Sequence, residues 1–215
     1  NHVVPTLVHA GTVVIESTLI NEYLDDAFPE KAMRPPDAAG RYAMRTAVHR
    51  IDQLHPATGI LTYAIGPGPI IAAQGQDAID AQVSAIPDPK RAQIRRSVIE
   101  NGVKAPEFAN AMRDVIDLLD RAEADLAGRR WLAGAAYSLA DAATLPYIRR
   151  LDHLAMMPLI DARPRLSDWY ARARTRPSFE VAIGALLPQG VIDLFRGNGE
   201  KVWGEVQATV NALRG

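Results

Sequence analysis

Residues 4–30 read VPTLVHAGTVVIESTLINEYLDDAFPE, and this stretch decides the fold. With Val3 in front, it gives an extended segment over 3–8 punctuated by Pro5, a turn at Ala10-Gly11, a second strand over Thr12 to Ile15, and a helix opened by Glu16 and Ser17. A helix start offers unpaired amides and the positive end of the dipole, so the Ser17 hydroxyl and amide suit a carboxylate. Glu16 beside it suits an ammonium, and the pair matches the head group of an α-amino acid. Val4 precedes a proline and is therefore held extended, ready to offer its N–H and C=O to a peptide-like ligand as an added strand would. A cis Val4–Pro5 bond would aim those groups outward. The competing reading makes Ser17 an ordinary N-cap, Glu16 a solvated charge and Pro5 an edge-strand residue.

The rest of the chain is helical in period. Ile20, Tyr23, Leu24, Ala27 and Phe28 form one helix face that ends before Pro29. Glu30 to Asp37, with Pro35-Pro36, is the composition at which domains join. A helix from about Ala38 carries Met44, Val48, Ile51 and Leu54 on one face, with Pro56 expected to kink or restart it at Ala57-Thr58 and Gly66-Pro67-Gly68-Pro69 to close it. Helices led by Asp88-Pro89 and by Pro106-Glu107 follow, the second stopping at Gly128. Ser138-Leu139-Ala140-Asp141 has capping-box spacing and predicts a structural role for Asp141. Pro146 predicts a bend ahead of Tyr147 and Arg150. The tail after Pro188 is apolar at helical spacing and needs a surface to cover, its own pocket or a second subunit.

Three separated phrases carry a family resemblance: residues 4–30, Trp131-Leu132-Ala133-Gly134 with Ser138-Leu139-Ala140-Asp141-Ala142-Ala143, and Arg176-Pro177-Ser178-Phe179. In this order they resemble the glutathione S-transferases, and they span most of the chain. The resemblance implies an α+β protein: a partial thioredoxin-like domain of two strands and a helix over 1–31, then an all-helical glutathione S-transferase C-terminal domain over 36–215. It implies that Val4 and the cis-proline Pro5 meet the cysteinyl backbone of glutathione, that Glu16 and Ser17 hold its γ-glutamyl end, and that Asp52 reaches the glutathione amine of a partner subunit. Met44, Val48, His55 and Tyr147 then become candidates for an apolar acceptor pocket. Family members begin with a β-α-β unit that carries the thiol-activating Ser, Cys or Tyr; this sequence starts beyond it, so the catalytic residue is unassigned.

Composition fits that class. The 215 residues are 48% hydrophobic and 23% charged, with a net charge of −1 and no cysteine. The charge balance gives no reason to expect a nucleic acid or an anionic membrane as partner, and no apolar run reaches the roughly 18 residues of a membrane span. The absence of cysteine excludes disulfides, thiolate metal sites and a cysteine nucleophile within this sequence. The default compartment is the cytoplasm, and the family resemblance implies a homodimer. No Ser-His-Asp order, phosphate loop or dinucleotide fingerprint is present. His49, Asp52 and His55 recur at steps of three but lack a fourth ligand, so no metal site is expected. Lys90-Arg91 and Arg95-Arg96 read as a solvated helix face.

The activity implied is transfer of the glutathione thiolate to a small hydrophobic electrophile, with glutathione as cosubstrate. ESTLINEYLDDAFPE and HPATG look most like bacterial members that include glutathione-dependent β-etherases, which cleave aromatic ethers. A non-catalytic glutathione-binding protein shares the same residues, and a plain helical interaction domain predicts no glutathione affinity.

Overall fold

A computed structural model describes residues 4–215, so Val3 lies outside the described residues. Val4 and Pro5 are joined by a cis peptide bond. The ladder starts after them, with β1 at Thr6–His9 and β2 at Thr12–Ile15. This displaces the expected extended segment toward the turn, because Pro5 has no N–H to place in a ladder. The strands are antiparallel, with Leu7 opposite Val14 and His9 opposite Thr12. Ala10 and Gly11 both have positive φ, 48° and 79°, as a two-residue hairpin turn of type I′ demands.

Helix α1, Ser17–Ala27, packs on the hairpin. His9 Nδ1 lies 3.0 Å from the Tyr23 hydroxyl, and the His9 ring also meets Phe28 with centroids 5.5 Å apart. A short 3₁₀ turn, Pro29–Lys31, follows. The crossing segment is tied down by buried Asp25, which accepts the Met33 amide and pairs with Arg34 at 3.0 Å.

The helices beyond are α2 (Ala38–Ile65), α3 (Gly68–Ala73), α4 (Gln76–Ser84), α5 (Pro89–Asn101), α6 (Pro106–Asp125), α7 (Leu139–His153), α8 (Met157–Asp161), α9 (Pro164–Arg174), α10 (Pro177–Ala182) and α11 (Gln189–Arg214). Helix α2 runs unbroken through Pro56, so the expected restart at Ala57 does not occur. One proline deletes one internal hydrogen bond, and the buried flanks Leu54, Ala57 and Leu61 hold both halves on the core. The segment read only as a closing turn winds into α3, which the sequence reading missed together with α4. Asp37 caps α2 through the Gly40 amide at 2.8 Å, and Asp88 caps α5 through the Lys90 amide at 2.9 Å.

The core lies where α2, α6 and α7 meet, with Met44, Ile51, Leu61, Phe108, Met112 and Ile148 all buried in one cluster. The capping box of α7 forms as the spacing requires. Helix α11 covers α6 and α7 of its own chain, burying Val206 and Val210; Arg196 reaches Asp152 at 3.2 Å. Among the described residues no single helix is long and apolar enough to cross a membrane.

The C-terminal turn of α7 carries a titratable liability. His153 is 5% exposed, and neither ring nitrogen has a partner among the described residues. Burial, then the charges of Arg149 and Arg150, push the imidazole down from 6.5 to about 4. The unfolded chain therefore binds a proton that the folded one refuses. Stability attributable to His153 should fall as pH drops from about 6.5 to about 4 and level off below, by roughly 2–3 kcal/mol. His153→Leu should remove that part of the decline in urea unfolding at pH 7 and 4.5; an unchanged difference between the two pH values would contradict it.

Candidate functional site

The start of α1 faces a cavity of about 430 Å³ between α1, α2 and α7. Glu16 occupies the cap position with φ 68° and ψ 116°, and no side chain caps this end. The Glu16 carbonyl accepts the Ile20 amide at 2.8 Å, which leaves the Ser17, Thr18 and Leu19 amides as the unpaired first turn of a helix. A non-glycine residue at positive φ is strained by about 1–3 kcal/mol, and such strain concentrates at ligand sites. Ser17 is the first helical residue rather than the cap, so the ordinary N-cap reading does not describe it.

Ser17, Thr18 and Asn21 form one lip of the cavity. Thr18 is buried and donates to Asp52 Oδ2 at 3.1 Å, which fixes the start of α1 against α2. Within this chain Asp52 therefore positions the Ser17 turn. Val4 is 91% exposed at the open end of the hairpin.

Of the four acceptor-pocket candidates, His55 and Tyr147 line the cavity and Met44 and Val48 do not. Met44 and Val48 are core residues, 0% and 8% exposed. The stripe that runs 44, 48, 51, 55 along α2 is sealed into the core over its first half and opens to the cavity only from Ile51 onward. His55 Nδ1 lies 2.9 Å from the Tyr147 hydroxyl. Burial, and then Asp52, raises the Tyr147 phenol, so the pair offers a neutral hydroxyl and an imidazole for hydrogen bonds to an oxygen in the cavity. His49 turns instead to Gln53 at 3.1 Å, and no three possible metal ligands converge among the described residues.

The sequence reading missed Thr62 and Tyr63 on α2 and did not assign Arg150 on α7, which complete the wall. Positions 55, 59 and 63 are four residues apart, as are 143 and 147, so helical spacing could have grouped them. On the far side of the 55–59–63 ridge lies a second cavity of about 500 Å³ that shares those three residues and takes in Arg91 and Arg95. Gly59 divides the two, with open space where a Cβ would stand. The basic cluster on α5 is thus not simply a solvated face: Arg95 lies 3.3 Å over the Tyr63 ring, and Arg96 pairs with Asp80 at 2.7 Å.

Known proteins share this architecture. Residues 79–177 match the family described as glutathione S-transferase, C-terminal domain. Protein LigF of a Sphingobium species is 28% identical over 211 residues, covering 93% of this chain and 79% of LigF. The crystal structure titled β-etherase LigF superposes with a TM-score of 0.70 at 26% identity, over 85% of this chain and 78% of that one. A tetrachloro-p-hydroquinone reductive dehalogenase of Sphingobium chlorophenolicum is 35% identical over 88 residues, 40% of this chain and 36% of the dehalogenase.

Proposed function

We propose that the chain is a member of the glutathione S-transferase family, an enzyme that joins the thiolate of glutathione to a hydrophobic electrophile, with glutathione as cosubstrate. The observation that carries the reading is the strained, uncapped start of α1 opening on an apolar-walled cavity. In this reading Glu16 takes the γ-glutamyl ammonium, Ser17 and the first amides of α1 take its carboxylate, and Asp52 acts through Thr18 to hold that turn. Val4 and Pro5 meet the cysteinyl backbone. The sulfur then points toward the cavity, where His55 and Tyr147 orient the acceptor. The thiolate forms a bond to the electrophilic carbon while the leaving group departs with the bonding pair; the site gains rate by holding the two reactants in one cavity. We keep residues 1–31 as the glutathione-binding part and 36–215 as the helical part, working as a cytoplasmic homodimer.

The LigF comparison favours one narrower version, cleavage of an aromatic β-aryl ether with an aryloxide as leaving group, because that similarity covers 93% of the chain. Turnover of 1-chloro-2,4-dinitrobenzene and of a β-aryl ether by the protein with glutathione tests both. Release of a phenol from the ether supports the etherase version, and turnover of the chloroarene alone supports the general transferase. Binding without either turnover favours a non-catalytic glutathione-binding protein.

Glu16 separates stability from binding. Glu16→Gly should raise stability by about 0.5–1 kcal/mol, since glycine adopts positive φ freely, while weakening glutathione binding several-fold. A variant that binds as tightly as the wild type would show that the carboxylate is not used.

A further inference from the structure

Of the residues that line the cavity between α1, α2 and α7, Arg150 alone carries a fixed charge. Its Nη1 is buried with no hydrogen-bond partner among the described residues. The acid nearest in sequence, Asp152, is already taken by the Tyr170 hydroxyl at 2.9 Å, Arg149 at 2.5 Å and Arg196 at 3.2 Å. Asp52, on α2, receives Thr18 instead. What Arg150 does touch is apolar: its guanidinium lies 5.7 Å from the centroid of the Phe195 ring on α11. Burial lowers its pKa, with no acid acting the other way. A guanidinium nonetheless keeps its proton, so the cavity holds a partly desolvated cation without a counter-charge, an arrangement that costs stability. The wall around it is Ile51, Ala142, Ala143 and Pro146, with the Tyr63 and Tyr147 rings. That wall suits a flat apolar body, and the unpaired fork suits two oxygens in a plane.

We infer that the electrophile taken by this site is an aromatic acid, its carboxylate paired with Arg150 and its ring laid against the apolar wall. This deepens the transferase reading and rests on it. A carboxylate can also come from the glycyl end of glutathione, so the test separates the two sources. Calorimetric titrations of 4-phenylbutyrate, of its uncharged counterpart 4-phenylbutanamide, and of glutathione are compared in wild type, Arg150→Met and Arg150→Lys. The wild type should bind the acid at least ten-fold more tightly than the amide. Arg150→Met should erase that preference while leaving amide and glutathione affinity unchanged, and Arg150→Lys should keep part of it. Since Met removes an unpaired buried charge, this variant should fold at least as stably as the wild type. Equal binding of acid and amide, a preference that survives in Arg150→Met, or a loss confined to glutathione would overturn the inference. Failure of the wild type to bind glutathione would instead remove the transferase reading, and it is scored in its own titration.

Discussion

Asp141→Ala should cost about 4 kcal/mol and lower the melting temperature by roughly 10 °C. The carboxylate is 0% exposed and gathers four donors: the Leu132 amide at 2.9 Å, the Ser138 amide at 2.9 Å, the Ser138 hydroxyl at 3.0 Å and the Trp169 indole at 2.7 Å. It thereby holds together the loop at 131–134, the start of α7 and helix α9. Truncation leaves buried donors without an acceptor, each costing about 1–3 kcal/mol. Burial raises the Asp141 carboxyl above its usual value despite these donors, so the charge itself is not the favourable element; the accepting geometry is. Ser138→Ala removes one donor and should cost only about 0.5–2 kcal/mol. Equal losses for the two variants in urea unfolding would contradict the assignment of Asp141 as the hub.

Gly199→Ala should destabilise by about 2 kcal/mol even though alanine is the better helix former. A Cβ at this buried position in α11 would stand 2.1 Å from the Leu154 carbonyl oxygen and 2.6 Å from its carbon. Those are backbone atoms at the end of α7, so one helix has to move. Overpacking of this kind costs about 1–3 kcal/mol or more, against about 0.5–1 kcal/mol gained from helix propensity. The same helix supplies its control: a Cβ at Gly204 meets nothing within 4 Å, so Gly204→Ala should stabilise by about 0.5–1 kcal/mol. Opposite signs are the expected result in thermal melts, and a stabilising Gly199→Ala would show that α11 does not pack on Leu154 this closely. Because Phe195 of α11 faces Arg150, Gly199→Ala should also loosen that end of the cavity.

Features set by neighbours in sequence were legible before the fold was known. The Ala10-Gly11 turn, the proline-led starts of α5 and α6, and the Ser138–Asp141 box are each decided by backbone chemistry within four residues. What failed depends on distant packing. Periodicity placed Met44 and Val48 on the same face as Ile51 and His55, but only the approach of other helices determines where that face is sealed and where it opens. Pro56 offered a restart because the core that keeps α2 continuous past it is invisible in the local pattern. Gly66-Pro67-Gly68-Pro69 read as a closing turn, yet Gly68 and Pro69 open the short α3. At the site, Glu16 and Ser17 were readable as residue types at a helix start; the positive φ of Glu16 was not. The isolation of Arg150 requires knowing that Asp152 is fully engaged by Tyr170, Arg149 and Arg196, a fact assembled from three helices.

The proposed glutathione site is the start of α1. Calorimetric titration of glutathione into the wild type, Glu16→Ala and Ser17→Ala tests it most directly. The wild type should show saturable one-site binding and each variant a weakening of at least about five-fold, the loss of roughly 1 kcal/mol from a charge-assisted hydrogen bond. Wild-type binding left unchanged by both substitutions, or no binding at all, would contradict it.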